Sequence, residues 1–206
     1  MNFSFLEVES PKKLKNLSKR KISFLNKKDE DVSVFHYNAV DEEIIHVVFN
    51  INDEYQVSTL KLGNQYNFSY SSLLNFFFIP NRNYAFLEYI NQEFEEMVIK
   101  EINNRCGTSI DSSKFINKNF WEIYVGLNGT IKKLNYTSSD DEYLNKDYVD
   151  REEFSKIVNS SSEEIDDMTI SADNQYFSIK KEGKISVDNS DEEYLINMIK
   201  KIINVI

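Results

Sequence analysis

The chain has 206 residues, of which 41% are hydrophobic and 14% aromatic, and its formal net charge is -10. The hydrophobic share supplies a sizeable core and argues against disorder, and the length suits one domain or two small lobes sharing a core. One cysteine excludes an internal disulfide framework, and five glycines and two prolines disfavour long linkers.

In chain order, "NFSFLEVE" is an expected opening strand with Phe3 and Phe5 alternating. The stretch "MNFSFLEVESPKKLK" has no basic region followed by an apolar core, so no signal peptide is expected. Ser10-Pro11 reads as an N-cap and first helical residue, opening a short basic helix with Leu14 and Leu17 inward. "EIIHVVFNI" and "EYQVSTLKL" flank Asn52-Asp53, a predicted β-hairpin turn. "LLNFFFI" is the longest apolar cluster, far short of the roughly 20 residues of a membrane helix. A second hairpin joins "NFFFI" to "NYAFLEYI" through Pro80-Asn81-Arg82.

Residues 83–90 read as a strand with two apolar faces, hence a central one. The period then changes. Phe94, Met97, Val98 and Ile102 fall at helical spacing over about 91–105, with acids in the first turns and Gly107 as the C-cap. "FWEIYVGLNGTIKKLNY" supports two readings, a helix over 111–126 or a hairpin turned at Asn128-Gly129, and alternation at Trp121, Ile123, Val125 and Leu127 favours the hairpin.

Residues 138–150 are polar and acidic, a candidate boundary between a main α+β domain (1–137) and an acidic C-terminal α+β lobe (138–206) packed on it, a single compact unit remaining open. Asp150 and Glu153 form a capping box for a short helix through Val158. "MTISA", "QYFSIKK" and "KISVD" make a meander turned at Asp173-Asn174 and Glu182-Gly183. A last helix, about 190–206, starts at Ser190 and buries Tyr194, Leu195, Met198, Ile199, Ile202 and Ile203. The expected class is α+β, a mostly antiparallel sheet of hairpins with a central packed helix and a C-terminal helix.

Candidate chemistry is sparse. Cys106 sits at a helix C-terminus, where the negative dipole end suppresses a thiolate. His36 and His46 lie in strand-like surroundings and read as structural, and two histidines with one cysteine lack any standard zinc spacing. The acidic block at 140–153 has no glycine at the centre of a calcium loop. Asp173 with Glu182 and Lys184 is the nearest approach to a metal-nuclease set, but Glu182-Gly183 reads as a hairpin tip. The five glycines form no phosphate loop, and no Gly-x-Ser-x-Gly elbow occurs. No catalytic residue, cofactor or metal is assigned.

Charge is uneven. Residues 12–28 carry eight Lys or Arg and no acid, whereas residues 140–193 carry 17 acids against six bases. An acidic surface repels nucleic acid and steers basic partners. The expected function is therefore non-enzymatic: an acidic, cytoplasmic protein-binding protein that occludes a partner's basic surface. The AT-rich composition suggests a low-GC bacterium or its phage, and a conflict system with immunity-like, inhibitor or phage-defence character. Its candidate contact residues are Asp140, Asp141, Glu142, Tyr143, Asp147, Tyr148, Asp150, Glu163, Glu164, Asp166 and Asp167. The alternative is a nucleic-acid-binding subunit using Lys12, Lys13, Lys15, Lys19, Arg20 and Lys21.

Overall fold

Alternating apolar stretches fold as strands and those of helical period as helices, in a computed structural model that describes residues 1–19, 31–40, 43–140 and 142–206. The order begins with β1 (Asn2–Val8), a 3-10 helix (Pro11–Ser18), β2 (Val32–Ala39), β3 (Ile45–Ser58), β4 (Gln65–Phe78), β5 (Tyr84–Glu88) and α1 (Gln92–Cys106). It continues through β6 (Ile110–Ser112), α2 (Asn117–Leu127), β7 (Thr130–Thr137), β8 (Tyr143–Asp147) and α3 (Arg151–Asn159). The chain finishes with β9 (Glu164–Ala172), β10 (Gln175–Lys180), β11 (Lys184–Val187) and α4 (Glu192–Val205). Among the described residues the 11 strands form one antiparallel sheet in the order β2-β3-β4-β5-β1-β11-β10-β9-β7-β8, with β6 also pairing β1. The fold is α+β.

Helices cover opposite faces of the two halves of this sheet. On one face, α1 and the 3-10 helix pack Phe94, Val98, Ile102, Leu14 and Leu17 against Val47, Phe49, Phe76, Phe78 and Leu87. On the other, α2, α3 and α4 pack Phe120, Ile123, Phe154, Ile199 and Ile203 against Leu134, Met168, Ile170, Phe177 and Ile179. β1 serves both cores, because Phe3 and Phe5 point to the second and Leu6 and Val8 to the first. A side chain of this size contributes roughly 1.5–3 kcal/mol when fully buried, so few strands here matter more than β1.

The local signals for α1 operate as expected. The Asn91 side chain accepts from the Phe94 N–H, and Gly107 takes the left-handed conformation at φ 62°. β5 is central, between β4 and β1. The meander β9-β10-β11 turns at Asp173 and Asn174, whose φ values of 50° and 60° suit a type I′ turn.

Three expectations need correction. Asn52-Asp53 is no turn: β3 runs on to Ser58, and the register holds from Ile45↔Phe78 to Ser58↔Gln65. The reversal falls at residues 59–64, where Gly63 supplies a φ of 65°. The favoured hairpin around Trp121 is the helix α2, which buries Phe120, Ile123 and Leu127. Asn128 does adopt a positive φ of 50°, but as the helix C-cap. The cap of α4 is Asp191, which accepts from the Tyr194 N–H, one residue beyond Ser190. β8 and the N-cap of α3 fall within the candidate boundary stretch. No helix among the described residues is long and apolar enough to cross a membrane.

Candidate functional site

The groups with catalytic potential are held apart. Cys106 closes α1 and is buried under one face of the sheet, and burial pushes its thiol up to about 11. His46 lies on the other face, stacked on Phe77 with ring centroids 4.5 Å apart. Its Nε2 is 2.8 Å from Asn75 Oδ1 and its Nδ1 3.0 Å from Glu192 Oε1. Asn75 Nδ2 in turn donates to Glu88 at 2.6 Å. His46 thus ties β3 and β4 to the start of α4. His36 pairs with Val48 and shares its face, exposed. The sheet therefore stands between the thiol and both imidazoles. With its thiol protonated and buried, Cys106 should react with iodoacetamide at pH 8 at least 100-fold more slowly in the native chain than in urea. Equal rates would contradict its placement.

The described carboxylates do not converge on an ion position. No group of three His, Cys, Asp or Glu side chains suited to a metal occurs among the described residues. Asp173 pairs with Lys201 at 3.2 Å at one end of β10, while Lys184, beyond its other end, binds Glu95 at 2.9 Å.

The acidic and tyrosine residues singled out as candidate contacts divide into two groups. Because α2, α3 and α4 all cover one face, the other face of β7–β10 carries no helix among the described residues and its side chains are polar, whereas at β11 the α1 residue Glu95 reaches over that face to Lys184. At one end of this face Asp140 and Glu142 flank the β7–β8 turn, beside Tyr143, Asp166 and Asp167. Partial burial, then the charges of Asp167 and Asp166, raise the Tyr143 hydroxyl above its ordinary value. Asn135 Nδ2 donates to both Asp167 oxygens, at 2.8 and 2.9 Å. The Asn135 Oδ1 is buried and has no hydrogen-bond donor among the described residues, an unmet acceptor at the floor of the patch. Glu164 begins β9 nearby, with Glu163 just before it.

Asp147, Tyr148 and Asp150 lie at the far end of β8, about 17 Å away for five extended residues. Tyr148 is 74% exposed, under Lys132 Nζ at 5.1 Å. Asp150 is committed to capping α3. Lys181 partly neutralises the first group, 2.7 Å from Glu164 and 3.8 Å from Asp166. Asp141 falls outside the described residues. The acidic patch is accordingly narrower than its sequence suggests.

The nucleic-acid candidates are partly engaged in structure. Lys13 donates to the Gly107 carbonyl at 2.7 Å, while Lys12, Lys15 and Lys19 are exposed. Arg20 and Lys21, with Lys27 and Lys28, lie outside the described residues.

Sequence reading missed the outer half of the β3–β4 hairpin. Its cross-strand pairs Asp53↔Tyr70, Tyr55↔Phe68 and Val57↔Tyr66 share one face. All six side chains are exposed. Alternation of apolar residues at 55 and 57, and at 66, 68 and 70, was the available signal, hidden by reading Asn52-Asp53 as a turn. The chain matches no protein-family model and no curated protein, so its functional reading rests on these surfaces alone.

Proposed function

We propose that the chain acts by binding another protein and covering a basic surface on it, as an inhibitor-like or immunity-like component of a bacterial or phage conflict system. One observation supports this reading above the rest. The helix-free face of the sheet ends at the edge strand β8, with Asp140, Glu142, Tyr143, Asp166 and Asp167 gathered beside it. An edge strand offers unpaired backbone groups to an incoming chain. The carboxylates steer a basic partner into place, while Tyr143 and Tyr148 serve as the aromatic anchors in which interface energy concentrates. A cytoplasmic location and independence of any cofactor belong to the same proposal.

The test begins with capture of partners on the immobilised chain from a low-GC bacterial lysate. Association of the captured protein is then compared for the native chain and an Asp140→Lys/Glu142→Lys/Asp147→Lys variant. The variant should associate about tenfold more slowly at low ionic strength, with the gap closing as salt rises. Equal association rates would remove occlusion by this face. Capture of nucleic acid instead, with affinity falling steeply in salt, would transfer the function to Lys12, Lys13, Lys15 and Lys19.

A further inference from the structure

The outer half of the β3–β4 hairpin stands clear of both cores. From 53 to 58 and from 65 to 71 every side chain is exposed. Among the described residues neither strand has a second ladder partner there, since β2 pairs β3 only as far as Ile51 and β5 pairs β4 only from Phe76. A two-stranded ribbon of this kind is marginal in water by itself.

The pleat sorts its side chains by polarity. One face carries Glu54, Gln56, Asn67 and Ser69, joined across the strands by hydrogen bonds of 3.0 Å (Gln56 to Asn67) and 3.2 Å (Ser69 to Glu54). The other carries Tyr55, Val57, Tyr66, Phe68 and Tyr70 and prolongs the line of Phe49 and Ile51 outward from the core. The Tyr55 and Phe68 rings stack at 5.2 Å, yet remain 51% and 46% exposed. At the tip, Leu60 and Leu62 are exposed on either side of Lys61. Contiguous apolar surface of this extent marks a contact.

Charge selects the occupant. At the root of the apolar face the charges of Asp53 and Glu93 both bear on the Tyr70 hydroxyl, and Asp53 accepts its hydrogen bond at 2.6 Å. Neither acid has a cationic partner among the described residues, and Lys61 at the tip has no acidic one. The face is therefore negative at one end and positive at the other, with apolar residues between. A uniformly basic or acidic partner would suit one end and be repelled by the other, whereas the same face turned end for end suits both.

We propose that this face joins two copies of the chain about a two-fold axis passing between the Tyr55–Phe68 and Val57–Tyr66 pairs, each tip lying over the other's root. Such an isologous contact closes with two subunits. The arm is about 20 Å long for six extended residues, so each Lys61 reaches the opposing Asp53 and Glu93. The exposed apolar side chains offer on the order of 700 Å² per copy, close to the ~800 Å² that a stable interface takes from each partner. This surface lies at the opposite edge of the sheet from β8, so the dimer stands or falls independently of the occlusion reading.

Sedimentation equilibrium of the full chain at several concentrations tests the proposal. The native chain should be dimeric at micromolar concentration. Phe68→Glu, which sets an unpaired carboxylate at the centre, should weaken the dimer at least 100-fold, and Lys61→Glu about tenfold. Adding Asp53→Lys and Glu93→Lys to Lys61→Glu should restore dimerisation, because every copy supplies both ends. All these positions are exposed, and an unchanged melting profile of dilute monomer controls for folding. A native chain that stays monomeric at 100-fold higher concentration overturns the proposal. So does a Phe68→Glu chain that remains dimeric, or a triple charge reversal that fails to recover the dimer.

Discussion

Lys184→Ala is expected to lower the unfolding free energy by about 3 kcal/mol, the lower end of what removing one partner of a buried ion pair costs. Lys184 extends from β11 to where β11 meets β1. Its Nζ donates to Ser4 Oγ at 2.6 Å and to the two Glu95 oxygens at 2.9 and 3.2 Å, and it sits 3.7 Å from the Tyr89 ring centroid. Glu95 is 8% exposed, so its carboxylate would be left in the protein without a countercharge, while the lysine, 31% exposed, gives up less. The companion variant Lys184→Met/Glu95→Gln removes both charges and should recover more than half of the loss. Urea unfolding measures all three chains. A cost below 1 kcal/mol for Lys184→Ala, or no recovery in the double variant, would refute this account of the junction.

Gly183→Ala should cost about as much by another route. Gly183 has φ +76°, and an added Cβ would lie 1.9 Å from the Ser113 carbonyl oxygen. The left-handed conformation alone costs an L-residue about 1–2 kcal/mol, and displacing backbone adds about 1–3 kcal/mol more. That backbone cannot yield freely. The Gly183 carbonyl accepts from Phe5 N at 2.7 Å, and Ser113 N donates to the Phe5 carbonyl at 3.1 Å. The expected loss is about 3–4 kcal/mol, a fall of roughly 10 °C in Tm for a chain of this size. Gly63→Ala is the control: its φ is +65° with no described residue within 4 Å of the added Cβ, so it should cost only the conformational part. Similar losses at the two positions would show that crowding at Gly183 is unimportant.

Most of the fold was legible where local chemistry and tertiary packing agree. Asn91 and Gly107 mark the ends of α1, the two apolar faces of residues 83–90 mark a central strand, and Asp173-Asn174 marks a hairpin turn. The misreadings share a cause. Asparagine and aspartate tolerate a positive φ, but the dipeptides alone do not say whether the chain uses it in a hairpin, at a helix end or not at all. Asn128 spends its positive φ on capping α2, and Asn52-Asp53 stays extended because Ser71 and Tyr70 pair across from it.

The acidic surface was legible as charge but not as geometry. Its residues split along β8, Lys181 reaches in from beyond β10, and which sheet face lacks helices depends on the topology of the whole chain. β6 escaped notice because three residues carry no periodicity.

The place of β1 between β5 and β11 bears on how the protein is made. Lys184 is separated from its partner Ser4 by 180 positions. At a synthesis rate of 5–20 residues per second, β1 would wait roughly 10–40 s for β11, with its Asn2–Ser4 edge unpaired and the core around Phe3 and Phe5 incomplete. Nascent chains of this protein should therefore engage chaperones until the final fifth emerges, and early termination should yield aggregates rather than a smaller folded unit.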